Sequence, residues 1–360
     1  MGYEGMLDLL KRIKESKQKL IGDLEFANDW EYFTQDPDNH FEQLTSTGPF
    51  AGTLEAFTTG VKLRTRYSHL LGDSGVEKMR LWGSDSDRVI DTARYFSAGL
   101  FGLDWQHAAE LIVIPEAADL GADTLTPTAT CSAYLRNLTF GHDYGARMLE
   151  RFQSTYLGLV GDRLQEQNPH MHFNDSEIYS MQEMCGFETT VRGSSKWCDV
   201  FTRADWLNFE YARDVIHYYR SGPSGGNQRE SDIQISTHDS DIISMISTLD
   251  IFIDSQGLPT DRILTARNWR TSQMTPMGGR VIFERLTCSE DSGGAEQSYL
   301  RININDGIVE IPHCSTGPGS SCPLEKFVTS VMQKGKELGD FREKCHLTED
   351  LPDRITFLHQ

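Results

Sequence analysis

The sequence predicts an α/β protein in which a core of strands and helices holds a mainly helical insertion. Three observations point there. Two short apolar runs of strand length, Met79-Arg80-Leu81-Trp82 and Leu111-Ile112-Val113-Ile114, stand next to helical patterns. Toward the other end, Arg280 to Leu286 and Tyr299 to Ile304 alternate apolar and polar residues as antiparallel strands do. Between them, residues 129–220 read as helices with Ser, Asp or Thr starts and no internal repeat. Strands followed by helices at both ends, around a helical middle, make a core with an insertion.

The elements follow in order. Met1 to Lys19 reads as a helix with Met6, Leu7, Leu9, Leu10, Ile13 and Leu20 on its apolar side. Lys11, Arg12, Lys14, Lys17 and Lys19 stud it, which excludes the apolar centre of a signal peptide. Gly48-Pro49 breaks the helical pattern, and Leu54, Phe57, Val61 and Leu63 restart it. After Trp82 the chain reads Gly83-Ser84-Asp85-Ser86-Asp87-Arg88, then a helix bearing Val89, Ile90, Ala93, Tyr95 and Phe96. An aromatic-rich helix runs from Asp205 to Tyr219 and ends at Gly222-Pro223-Ser224-Gly225-Gly226. That loop has no Lys-Ser/Thr after it, so it is not a P-loop. Ile233 and Ile235 alternate with polar residues up to Thr237-His238-Asp239. There a helix begins, with Ile242, Ile243, Met245, Ile246 and Leu249 expected on its inner face.

Composition narrows the function classes. Among 360 residues, 38% are hydrophobic, 24% charged and 10% aromatic, a globular balance with material for a sizeable core. The formal charge of −19, from 53 acidic against 34 basic residues, repels nucleic acid and anionic membranes. It also repels a phosphorylated substrate at neutral pH, so such a substrate calls for a locally basic pocket or an acidic working pH. No apolar run is long enough to span a bilayer. The seven cysteines include no Cys-x-x-Cys pair, which argues against a zinc or redox motif. Cys185/Cys198 and Cys314/Cys322 instead look like the ends of short disulfide loops. Sequons at Asn137 and Asn174 point the same way, to secretory chemistry, although chance often produces such triplets.

The most informative chemistry lies in Thr237-His238-Asp239-Ser240-Asp241, where a strand is expected to end and a helix to start. Open α/β sheets bind ligands at that place, and free backbone N–H groups with the helix dipole favour a phosphate. His238 can donate to phosphate oxygens, and Asp239, if it holds a proton at acidic pH, can protonate a departing alcohol. The plainer alternative is a capping Asp beside a surface His. Arg88 sits in the same kind of place, where a fixed guanidinium can clamp two phosphate oxygens. Its plainer alternative is an ordinary ion pair with Asp85, Asp87 or Asp91. Asp85, Asp87, His238, Asp239 and Asp241 are also hard metal ligands, but none of these residues stands in a His-x-His or His-Glu-x-x-His spacing that would support a metal.

At these residues the sequence resembles the fungal histidine acid phosphatases, in particular the secreted acid phosphatase and phytase branch. The match runs over nearly the whole chain. It includes Gly22-Asp23-Leu24 with Asn28-Asp29-Trp30, Gly48-Pro49-Phe50-Ala51-Gly52, and Arg88-Val89-Ile90-Asp91-Thr92-Ala93. It continues through Gly121-Ala122-Asp123-Thr124-Leu125-Thr126-Pro127, Phe201-Thr202-Arg203-Ala204-Asp205-Trp206 and His238-Asp239. Pro276-Met277-Gly278-Gly279, Glu284-Arg285-Leu286-Thr287-Cys288 and Cys314-Ser315-Thr316-Gly317-Pro318-Gly319 follow in order.

The resemblance implies a three-layer histidine-phosphatase-like core, residues 76–128 and 228–345, with a mainly helical cap, residues 1–75 and 129–227, and a tail, residues 346–360. It implies a two-step hydrolysis of phosphate monoesters, in which a histidine of an Arg-His-Gly-x-Arg-x-Pro motif becomes phosphorylated and water then releases phosphate. Carried over by position, Arg88 and His238 bind the phosphate and Asp239 is the proton donor. No cofactor or metal is expected. The expected partner is a small-molecule phosphate monoester, with no nucleic acid and no membrane; a homo-oligomer is left open. The resemblance also implies the pairs Cys185–Cys198, Cys314–Cys322 and Cys131–Cys345, leaving Cys288 unpaired, and secretion of the protein.

Two departures matter. No Arg-His pair occurs in the chain, so the nucleophile, two arginines and the strand that bears them are absent from it and the core is expected to be incomplete at its N-terminus. The family partner of Cys288 lies just before that motif, which agrees with a missing N-terminal segment. Family members also place a helix and a loop after Gly222-Pro223, where this chain has only Ser224 to Asp232. That spacing reads as a deletion.

Overall fold

A computed structural model describes residues 2–32, 52–71, 78–137, 139, 141–223, 239–289 and 296–359. In chain order the main elements are α1 (Gly2–Glu15), α2 (Gly52–Arg66), β1 (Met79–Ser84), α3 (Asp87–Phe101) and β2 (Ala109–Ile114). Then come α4 (His142–Gln153), α5 (Leu157–Gln167), α6 (Asp175–Arg192), α7 (Arg203–Arg220) and α8 (Asp239–Thr248). The last are β3 (Val281–Cys288), β4 (Gln297–Ile304), β5 (Gly307–Val309), β6 (Cys322–Pro323) and α9 (Leu324–Leu338). The chain forms two compact units, one of residues 1–114 with 151–212, the other of residues 115–150 with 213–360.

The first unit contains the strand–helix–strand expected around Arg88. β1 and β2 pair in parallel, from Met79 opposite Ala109 to Ser84 opposite Ile114. Parallel neighbours need a crossover, and α3 supplies it. α2 lies against α3 so closely that a Cβ on Gly60 would run into the Phe96 carbonyl, and one on Gly99 into the Phe57 carbonyl. Only glycine permits that approach of two backbones. On α1 the expected Met6, Leu9, Leu10 and Ile13 are buried and Leu7 is half-buried; Leu20, past the end of the helix, is buried as well. They pack toward α6, whose start is a reciprocal cap. Asn174 Oδ1 accepts from the Glu177 N–H at 2.9 Å, and Glu177 Oε2 accepts from the Asn174 N–H at 2.9 Å. Gly193, left-handed at φ 81°, ends the helix.

Several stretches that carry the family resemblance turn out to be packing devices of this unit. Arg163 donates to Asp23 Oδ2 at 3.1 Å and to Asp205 Oδ2 at 2.9 Å, tying the Gly22–Leu24 and Phe201–Trp206 segments to α5. The buried Glu188 carboxylate accepts from Trp30 Nε1 at 2.8 Å, Arg192 at 2.6 Å and Ser195 Oγ at 2.6 Å. Trp197, fully buried, receives Phe26 and Trp30 edge-on at 4.8 and 5.4 Å.

The second unit is built on an antiparallel sheet in the order β3-β4-β5, with β6 pairing the start of β4. Val281 faces Ile304 and Cys288 faces Gln297 across β3 and β4. The β4–β5 turn uses Asn305 and Asp306, both left-handed at φ 50° and 71°, residue types that tolerate that conformation in a tight hairpin. On α8, Ile243 and Ile246 are buried as expected, whereas Met245 is 39% exposed. Two residues past Ile243 is about 200° around the helix, so Met245 falls on the far side.

α9 has a regular apolar stripe yet buries none of its residues: Val328, Val331 and Met332 remain 45, 40 and 61% exposed. The strand expected at Ile233 and Ile235 lies outside the described residues. Three disulfides close the structure, Cys185–Cys198 in the first unit and Cys131–Cys345 and Cys314–Cys322 in the second. Cys288 is a free thiol. The tail is fixed rather than loose: the Thr356 N–H donates to Asp123 Oδ1 at 2.6 Å, and the Ala122 N–H to the Pro352 carbonyl at 3.0 Å.

Candidate active site

Arg88 belongs to the first unit and Asp239 to the second, so each is taken in its own surroundings; His238 lies outside the described residues.

Arg88 is the second residue of α3, one turn past the C-terminal end of β1, and is half-buried. The ion pairs that would make it an ordinary surface arginine are not formed. Asp91 pairs with Arg94 instead, at 3.3 Å, and the Arg88 guanidinium has no ion-pair partner among the described residues. At the end of the same strand Ser84 is fully buried, and its Oγ has no hydrogen-bond partner among the described residues. Arg88 thus stands in the first turn of a helix that follows a strand, a place suited to an anion.

Asp239 opens α8 and is exposed; its Oδ1 accepts the Ser240 N–H at 2.8 Å. Its Oδ2 lies 3.6 Å from Nε2 of His217, a residue that sequence reasoning did not single out. His217 is 3% exposed. It shares one face of α7 with Arg213 and Arg220, at the i, i+4, i+7 spacing of a helix stripe, and that spacing was available in the sequence. Arg213 Nη2 is 3.1 Å from His217 Nε2. A guanidinium only donates, so Nε2 accepts and the ring proton sits on Nδ1, which has no partner among the described residues. Burial first, and then Arg213, push the ring down to about 3, with Asp239 pulling the other way and Arg220 adding to the depression. Nearby, Tyr134 OH and Ser221 Oγ are 3.3 Å apart, and burial raises the Tyr134 phenol.

This neutral histidine has a measurable consequence. The folded form binds the His217 proton near pH 3 and the unfolded form near 6.5, so in that window the unfolded chain holds more protons. Stability from this residue is complete above 6.5 and is lost as pH falls toward 3. In His217→Leu, the fall of Tm between pH 6.5 and 3.5 is expected to be shallower than in the parent. Parallel curves would rule out a buried neutral ring.

A chain with this βαβ unit, a capped helical unit and an antiparallel sheet fastened by disulfides matches the family model "Histidine phosphatase superfamily (branch 2)" over residues 4–234 and 225–305. It belongs to that family. Over 362 residues it is 30% identical to the phytase PHO112 of Candida albicans, covering 93% of this chain and 75% of that protein. To the acid phosphatase PHO1 of Komagataella pastoris it is 31% identical, covering 93% and 76%. The crystal structure of the phytase from D. castellii superposes with a TM-score of 0.86 at 26% identity, over 99% of this chain and 80% of the other. The fold is the histidine phosphatase fold, and the chain is of the acid phosphatase and phytase class. Among the described residues no helix is long and apolar enough to cross a membrane.

Proposed function

We propose that this chain is the phosphate-binding and proton-donating part of an acid phosphatase acting on phosphate monoesters through a phosphohistidine. Arg88 and His238 hold the phosphate and Asp239 protonates the leaving oxygen. The observation that carries the reading is the conjunction of family membership with an Arg88 guanidinium at a strand-to-helix turn that has no ion-pair partner among the described residues. Phytate is a candidate substrate, because relatives of this similarity are named phytases. The division into a core of residues 76–128 and 228–345, a helical cap and a tail is retained as part of this reading. Three disulfides and the sequons at Asn137 and Asn174 support a secreted glycoprotein. Asn174 is exposed, and its cap uses only Oδ1, leaving the amide nitrogen for a glycan.

Because no Arg-His pair is present, the 360 residues by themselves cannot form the covalent intermediate, and their hydrolytic activity is expected to be at background. The same observation favours a second reading, a non-catalytic phosphate-binding relative of the enzymes. Titration of the purified chain with inorganic phosphate at pH 5, followed by ³¹P NMR, tests the shared part. Saturable binding is expected, weakened about tenfold or more by Arg88→Ala and by His238→Ala. Binding indifferent to both changes removes the site assignment. Brisk hydrolysis of an aryl phosphate by this chain, lost in His238→Ala, would overturn the inactive status.

A further inference from the structure

The carboxyl that is to donate a proton stands beside an imidazole, and that neighbour ordinarily does harm. A histidine and an aspartate a few ångström apart usually share their proton the wrong way for general acid catalysis: the ring takes it, the carboxylate stays ionised, and the two form an ion pair. Here the surroundings of the ring are arranged against that outcome. His217 is 3% exposed on α7, with Arg213 donating to Nε2 at 3.1 Å and Arg220 one turn further along the same face. Charging the ring would bury a cation among two cations. Asp239, 3.6 Å away, is exposed to water at the start of α8. Among the described residues, Asp241, buried on α8, and Tyr134, which is paired with Ser221 and whose phenol is raised by burial, also lie near this cluster.

We propose that His217 is a positioning residue for Asp239, an uncharged imidazole backed by Arg213 that lies against the carboxyl and leaves it, not the ring, to take up the proton of the pair. The depressed ring basicity that burial and Arg213 impose agrees with the geometry. The role rests on the reading of Asp239 as proton donor, but the order in which the two groups charge can be measured whether or not that reading holds. The leaving-group test of Asp239→Asn in the Discussion judges the donor separately.

The experiment follows both groups in the intact chain from pH 7.5 to 3. Long-range ¹H–¹⁵N spectra report the His217 ring, and ¹³C-carboxyl spectra report Asp239, with His217→Gln and Asp239→Asn used for assignment. As pH falls, Asp239 is expected to take its proton first, while His217 remains a neutral Nδ1–H tautomer through about pH 4.5. A His217 midpoint above that of Asp239 overturns the proposal. Arg213→Gln supplies a second reading of the same arrangement. Removing the cation is expected to raise the His217 midpoint by about one unit or more. An unchanged midpoint removes Arg213 from the account. A purely structural His217 would leave the order of protonation unspecified, whereas this role fixes it.

Discussion

When this chain is joined to an upstream Arg-His-Gly-x-Arg-x-Pro segment, Asp239→Asn is expected to lower turnover of an alkyl phosphate by about 10²–10⁴-fold, the usual worth of a positioned general acid. For an aryl phosphate with a nitrophenolate leaving group the loss should be about tenfold or less. The difference follows from the bond that breaks. An alkoxide is too basic to depart without a proton, and asparagine has none to give at that position. A nitrophenolate departs as the anion. The wild-type alkyl rate should fall as pH rises through the Asp239 titration, and the variant should lose that limb. Equal losses for the two esters would show that Asp239 serves phosphate binding or folding and does not donate.

The second large effect concerns stability. Asp214, in the interior of α7, and Arg267 form a buried pair, with Arg267 Nε donating to Asp214 Oδ2 at 2.6 Å and the Thr271 N–H to Oδ1 at 2.6 Å. Asp214 is 0% and Arg267 7% exposed. Removing one member strands the other charge in a site without water, so Asp214→Ala should cost about 3–5 kcal/mol. For a unit of this size that corresponds to a Tm lowered by about 10 °C. Exchanging both partners for apolar side chains, Asp214→Leu with Arg267→Met, should recover much of the loss, because both desolvation penalties vanish together. If Asp214→Ala costs less than about 1 kcal/mol, water reaches the pair and the buried-charge account fails.

Much of the fold was legible because period and punctuation agreed. The apolar runs ending at Trp82 and Ile114 flank one helix, and parallel pairing through a crossover is the ordinary result. Alternation over Arg280–Leu286 and Tyr299–Ile304 gave the antiparallel strands, although Thr287, Cys288, Gln297 and Ser298 extend them beyond the apolar residues. Periodicity misplaced Met245, since a run rich in apolar residues does not say which third of the helix faces inward. The site was legible less evenly. Arg88 and Asp239 stand at helix starts as expected, where local sequence and chemistry coincide. His217 was missed because it lies mid-helix among Tyr and Ile residues that look like packing, and its chemistry comes from Asp239, 22 positions away in the chain. The spacing of Arg213, His217 and Arg220 was a signal, but only the fold supplies the carboxyl they face.

Cys131 and Cys345 are 214 residues apart in sequence, and their bond makes a covalent ring of more than half the chain. By loop-closure entropy such a link is worth about 5 kcal/mol against the open unfolded chain. It also changes what a protease can accomplish. A single cut anywhere inside the ring leaves both pieces attached, so the nicked protein migrates as one species until a reductant is added. Escape of a fragment then requires two cuts, or the loss of one sulfur bridge.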